Sequence, residues 1–304
     1  MPAARRIEFE IALPEGYDLD PLRAFHGRDP GKTSEFIAGA TLTKGVVLAD
    51  RPARFDITLV PGKGRAECVV NVDGRVSSAM KDEADQVAKS LLGLRLDPAP
   101  FAAAVASDPL LGPLARRQAG LRIIQSPTPY EALTWAIMGQ QINVSFAVSL
   151  RRTLIELAGR RHGSGLRCYP VAADVAHLPI DALTTRQFSR SKAETILRLS
   201  NLVVDGALDL RESPSNPIEA ICAALLTVKG IGPWTVNYAL LRGYAHADAS
   251  LHGDVAVRTA IGRLQELELR PTTEQAAEFL GRYAPHRTML AAHLWASLSQ
   301  AAGF

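Results

Sequence analysis

The sequence predicts a mainly α protein in which a small α+β domain with an antiparallel sheet precedes an all-helical domain. Three observations carry this. Polar–apolar alternation of period two is confined to the first 72 residues. Apolar residues three and four apart dominate from residue 129 onward. The chain has 304 residues, enough for about two domains. The division is placed at residues 1–112 and 113–304.

The elements follow in order. Residues 6–11 (Arg-Ile-Glu-Phe-Glu-Ile) alternate, and residues 54–59 (Arg-Phe-Asp-Ile-Thr-Leu) repeat the pattern. Pro61-Gly62-Lys63-Gly64 marks a turn, and residues 66–72 resume a strand. Residues 20–26 form a short helix between the first two strands. Residues 81–92 form another, with Ala84, Val87 and Leu91 on one face and Gly93 at its end. Residues 98–113 bridge to the second domain. There, residues 129–159 carry an apolar stripe through Leu133, Ile137, Phe146, Leu150 and Leu154, which Gly139 divides into two helices. Thr128-Pro129-Tyr130-Glu131 has the pattern of a capping box with proline in the first helical position. Further helices are expected over 191–204, 217–228, 233–242, 255–266, 273–282 and 286–300.

Composition removes several classes. Hydrophobic residues make up 47% and charged residues 21%, which excludes a disordered chain. The net charge is +3, with −2 over residues 1–110 and +5 over 111–304. That excess is too small for a protein that coats DNA, but suits one that touches a few phosphates. No run of about 18 apolar residues is present, so no membrane association is expected. The first residues carry Arg5 and Arg6 without an apolar stretch, unlike a signal peptide. Cys68, Cys168 and Cys222 are too dispersed for a metal knuckle, a disulfide scaffold or an iron–sulfur quartet. A reduced, cytoplasmic location is expected.

The informative stretch is Leu225-Leu226-Thr227-Val228-Lys229-Gly230-Ile231-Gly232-Pro233-Trp234-Thr235-Val236-Asn237-Tyr238. A helix ends at Val228, Gly230-Ile231-Gly232 turns the chain, and Pro233 opens the next helix. Glycine at both turn positions permits positive φ and leaves the amides bare, which makes an anion site suited to a DNA phosphate. A glycine-rich turn between two packed helices has the same pattern. Asp254 follows 22 residues after Gly232, in Leu251-His252-Gly253-Asp254-Val255-Ala256-Val257-Arg258. On spacing alone it fits an N-cap.

Together with Met138-Gly139-Gln140-Gln141-Ile142-Asn143-Val144-Ser145 upstream, these segments resemble the helix-hairpin-helix (HhH-GPD) DNA glycosylase superfamily. Within it, Gly230–Tyr238, Arg242-Gly243-Tyr244 and Ala292-His293-Leu294-Trp295 resemble the 3-methyladenine DNA glycosylase II (AlkA) type. Asn143 stands where the family usually has serine. Gly253 stands where some members have a second aspartate, and Gln141 where some have an intercalating leucine. The resemblance implies two helical subdomains with an active-site cleft between them. It implies Asp254 as the catalytic carboxylate and Trp234, Tyr238 and Trp295 as the base pocket. It implies Gln140, Gln141, Gly230, Ile231, Gly232 and Thr235 as DNA contacts. Trp234 stands where lyase-active members have a Schiff-base lysine, which implies a monofunctional enzyme. No cofactor is required. The resemblance also implies a structural sodium or potassium ion on the carbonyls of Leu226, Val228 and Gly230.

The function expected is excision of alkylated purines such as 3-methyladenine from double-stranded DNA, in base excision repair, by a monomer. A cationic alkylated base over aromatic rings gains about 0.5–2 kcal/mol. It also leaves without a general acid, so a carboxylate beside the sugar suffices. The alternatives are a glycosylase for oxidised or deaminated purines, or a helix-hairpin-helix protein that binds DNA without catalysis.

Overall fold

The computed structural model describes residues 5–60 and 62–301. Pro61 of the expected turn and residues 1–4 of the N-terminal segment lie outside the described residues. Five strands form one sheet: β1 (Arg5–Ala12), β2 (Glu35–Ala38), β3 (Thr41–Leu48), β4 (Arg51–Val60) and β5 (Arg65–Val72). The order is β1-β5-β4-β3-β2, with every pair antiparallel. Alternation along β4 puts Ala53, Phe55, Ile57 and Leu59 on the buried face. Helix α2 (Ser78–Leu91) contributes Met80, Ala84, Val87 and Leu91 to the same core. Burying a side chain such as Phe55 is worth about 1.5–3 kcal/mol. β3 has no alternation because Leu42–Leu48 are buried without a break. A Cβ on Gly45 would meet the Arg167 carbonyl at 2.3 Å, so the helical domain covers the outer face of β3.

The second domain is helical throughout: α3 (Ala99–Ala104), α4 (Leu111–Arg117), α5 (Pro129–Gly139), α6 (Val144–Ala158), α7 (Ala172–Ala176), α8 (Ile180–Thr184), α9 (Arg190–Val204), α10 (Ile218–Thr227), α11 (Pro233–Ala239), α12 (Val255–Leu264), α13 (Thr273–Gly281) and α14 (Arg287–Ala301). A π-turn, Leu240–Tyr244, prolongs α11. Short α1 (Asp20–His26) belongs to the first domain. Phe101, Val105, Leu111 and Leu114 pack into the helical core, while Ile124 packs into the sheet core. By core membership the helical domain therefore begins near residue 99, not 113.

The capping box at Thr128 is half made. Thr128 Oγ1 accepts from the Glu131 amide at 3.1 Å. The Glu131 carboxylate does not reach back. It is buried against Lys44 Nζ at 2.8 Å and Arg151 Nη2 at 3.0 Å. Lys44 also donates to Glu35 Oε2 at 2.8 Å, and His26 Nδ1 lies 2.8 Å from the same oxygen. Two cations and two carboxylates thus balance at the junction of the domains, with Lys44 only 1% exposed. Burial holds His26 below its usual pKa, so the cluster keeps its balance.

Candidate active site

The hairpin is built as its glycines require, though not symmetrically. α10 ends at Val228, and Gly230 turns the chain at φ +98°. A Cβ there would strike Thr195 Oγ1 of α9 at 2.0 Å, so both backbone and space demand glycine. Gly232 does not share the positive φ expected of it. It is extended at φ −109°, and a Cβ there would meet nothing within 4 Å. Its contribution is bareness: no side chain stands over the first amides of α11.

Two of the expected DNA contacts take other roles. Ile231 is buried in the helical core, and its amide donates to the Val228 carbonyl inside the turn. Thr235 is 1% exposed, and its hydroxyl accepts from Gln140 Nε2 at 2.9 Å. Its side chain therefore braces the hairpin and cannot face a phosphate. Gln140 also donates to the Gly230 carbonyl at 3.1 Å, so it ties the loop after α5 to the hairpin. Gln141 is separated from it in kind. It is exposed and left-handed, at φ +57°. Lys192 of α9 fixes this corner by donating to the carbonyls of Met138 at 2.8 Å and Gln140 at 2.5 Å, the C-terminal end of α5. Asn143 accepts from the Phe146 amide at 2.8 Å and caps α6. Serine would cap as well, which accounts for the departure at that position.

Val144, Leu226 and Val255, one from each motif, are large apolar side chains left exposed.

Asp254 is both cap and pocket residue. Its Oδ1 accepts from the Val257 amide at 2.9 Å and starts α12. The same oxygen accepts from Trp295 Nε1 at 3.1 Å, and Oδ2 accepts from Trp234 Nε1 at 2.9 Å. Two indoles from α11 and α14 thus hold one half-buried carboxylate. Tyr238, one turn beyond Trp234, has its ring 5.4 Å from the Trp234 ring and 6.4 Å from the Trp295 ring. The four residues expected to form the catalytic pocket are brought together.

Sequence reasoning missed the rest of the wall. Phe25 of α1 and Arg28 come from the first domain, and Trp135 from α5. The Arg28 guanidinium stacks 3.9 Å from the Phe25 ring centre and 4.3 Å from that of Trp135. Arg242, in the π-turn, lies 4.8 Å from Phe25 and 5.7 Å from Trp295. No spacing signal joins residues 25 and 28 to residue 242. Only the packing of the two domains does so.

Two of the carbonyls expected to hold sodium or potassium already accept a hydrogen bond. Val228 O accepts from Ile231 N–H, and Gly230 O from Gln140 Nε2. Each of these oxygens keeps a second lone pair, with which Leu226, Val228 and Gly230 would hold such an ion. No group of three or more acidic, histidine or cysteine side chains with metal-binding geometry exists among the described residues.

Comparison with known proteins follows the same lines. A DNA-3-methyladenine glycosylase of Bacillus subtilis is 26% identical over 94% of this chain and 95% of its own. A 3-methyladenine DNA-glycosylase structure from Archaeoglobus fulgidus superposes with a TM-score of 0.76 at 20% identity, covering 94% of this chain and 97% of that one. A Clostridium acetobutylicum 8-oxoguanine glycosylase/lyase bound to double-stranded DNA gives 0.73 at 14% identity, covering 97% and 98%. These likenesses to solved structures establish the shared fold. The family described as HhH-GPD superfamily base excision DNA repair protein matches residues 134–286, half of the chain, and the chain belongs to that superfamily.

Proposed function

We propose that the protein is a monofunctional DNA glycosylase that flips alkylated purines out of double-stranded DNA and hydrolyses their N-glycosidic bond. The observation that carries this is the Asp254 carboxylate, held by two indole N–H groups beside the Tyr238 ring. The curated Bacillus subtilis relative named DNA-3-methyladenine glycosylase, alike along nearly its whole length, supports the substrate class.

The chemistry follows from the residues. The target base lies inside the duplex, and extruding it costs a few kcal/mol, less when it is damaged. Gln141, exposed and left-handed on the loop after α5, is the residue we assign to filling the vacated stack. The bare amides at Gly232 and the start of α11 suit a backbone phosphate. The flipped base meets the rings of Trp234 and Tyr238. When the bond from C1′ to the base nitrogen breaks, its electron pair leaves with the base and positive charge develops on the sugar. The Asp254 carboxylate stabilises that charge, and water adds at C1′. The Trp234 indole cannot form an imine with the sugar, so the strand is not cleaved. This favours hydrolysis over the lyase chemistry named for the Clostridium acetobutylicum neighbour. The reaction needs no cofactor, and no step runs through a cation. A monomer suffices.

The test is base release from duplex DNA methylated with a simple alkylating agent. Methylpurines should appear without strand breaks from the wild type, and not from Asp254→Asn. Tight duplex binding with no release from the wild type would overturn the alkylpurine reading and leave a glycosylase for oxidised or deaminated purines or a non-catalytic DNA-binding protein.

A further inference from the structure

The pocket wall holds two arginines that the reaction does not use. Arg28 is half-buried in a slot between Phe25 and Trp135. Its Nε is fully enclosed and has no hydrogen-bond partner. Among the described residues its guanidinium makes no hydrogen bond or ion pair, and Glu35 acts on it only through space. Burial pushes it down to about 10, so it remains a cation at neutral pH. Arg242 is different in kind. It donates to the Ile124 carbonyl and so braces the backbone, although its Nε is also enclosed without a partner. Both guanidinium groups stand near the Tyr238 side chain, and Arg242 reaches the Trp295 ring that carries Asp254.

An enclosed donor without an acceptor is costly, and arginine is rarely left so. Phe25 and Trp135 both present a ring face to the Arg28 guanidinium, which confines it at the pocket wall. A planar fork of donors on a pocket wall fits the edge of a purine that offers a carbonyl oxygen and a ring nitrogen. It disfavours a base that brings its own positive charge or carries an alkyl group on that edge.

We propose that Arg28 is a specificity determinant of the base pocket, donating hydrogen bonds to the acceptor edge of a flipped neutral purine and so extending the enzyme from cationic alkylated bases to uncharged lesions. The inference rests on the glycosylase function proposed above and concerns the same site. The first domain thereby contributes to substrate choice through α1 and the residues after it, as well as to the fold. Aromatic surface alone would favour cationic bases. Guanidinium groups already lying within 6 Å of the Phe25, Trp135 and Trp295 rings reduce that preference.

The experiment compares single-turnover release of two bases from otherwise identical duplexes. Hypoxanthine is neutral and offers O6 and N7. 7-Methylguanine is cationic, with N7 blocked. The wild type should release both. Arg28→Met, close in length and apolar, should lose about 10- to 100-fold on hypoxanthine, the worth of a charged hydrogen bond. It should hold or gain on 7-methylguanine. Arg28→Gln keeps a donor and should fall between, and it provides the contrast if the methionine variant is unstable. Equal loss on both bases, or no loss on hypoxanthine, would overturn the proposal. A wild type that releases 7-methylguanine but never hypoxanthine would overturn it while leaving the glycosylase function intact. Release of neither base would overturn the proposal, and the methylated-duplex assay above then decides the glycosylase function separately.

Discussion

Asp254→Asn separates the two roles of one carboxylate. As an N-cap, asparagine equals aspartate, and its amide oxygen can still accept from the Val257 amide. The other oxygen becomes an NH2 group 2.9 Å from Trp234 Nε1, a donor facing a donor. Loss of that charged hydrogen bond costs the fold about 1.5–3 kcal/mol. The transition state loses more. A full negative charge about 4 Å from the developing positive charge, at an effective permittivity near 20, is worth about 4 kcal/mol. That corresponds to a rate loss of about 10³-fold. Single-turnover release of methylpurines measures the rate, and fluorescence anisotropy on a duplex with an abasic analogue measures binding. The rate should fall by about three decades while affinity changes by less than about threefold. A variant within tenfold of the wild-type rate would refute charge stabilisation by Asp254. Parallel loss of rate and binding would mean that the substitution had collapsed the indole bracket.

Three other outcomes follow from the same structure. Lys44→Met leaves Glu35 and Glu131 facing Arg151 alone, and breaking such a buried pair should lower stability by about 3–5 kcal/mol in urea unfolding. An unchanged midpoint would mean that the cluster does not couple the domains. His293 is buried, stacked on Phe101 with ring centres 5.0 Å apart, and burial pushes it down to about 4. The folded state therefore binds fewer protons than the unfolded one, so stability is complete above about pH 6.5 and falls as pH drops toward 4. About 3 kcal/mol should be lost across that window, with His26 adding in the same direction. His293→Gln should flatten the slope in a melting-temperature titration, and an unaltered slope would place the proton uptake elsewhere. Gln141→Ala should leave stability within about 0.5 kcal/mol, because the side chain is exposed, yet slow excision from duplex about tenfold. An unaffected rate would assign the wedge to another residue.

What could be read in the sequence depended on how local each cause was. The hairpin, the break at Gly139 and the cap at Asp254 are short-range events, and each lies where its glycine or capping residue predicts. Strands β4 and β5 show their alternation because one face is solvated. β3 hides its own because the helical domain covers its second face, a fact set more than a hundred residues away. Short α3, α4, α7 and α8 were not anticipated, since one or two turns leave too little periodicity to detect. The same contrast divides the site. Trp234, Tyr238 and Asp254 sit in segments whose spacing marks them. Thr235 and Ile231 sit there too, and only burial reveals that their side chains brace the hairpin.

Phe25, Arg28 and Trp135 carry no marking at all, and Arg242 is marked only within a matching segment, because their meaning arises where two domains touch. The buried Lys44–Glu131 contact lies at that same junction and joins β3 to α5, the helix that also carries Trp135. An interface that only held the domains together would be served as well by apolar packing, since buried ion pairs add little net stability over hydrophobic replacements. Its charges are better understood as fixing register. A small slide between the domains would break the two ion pairs that cross the junction, Lys44–Glu131 and Arg151–Glu35, and would also move Arg28 out of its aromatic slot. The polar junction thus couples the geometry of the base pocket to correct docking of a domain that contains none of the catalytic motifs.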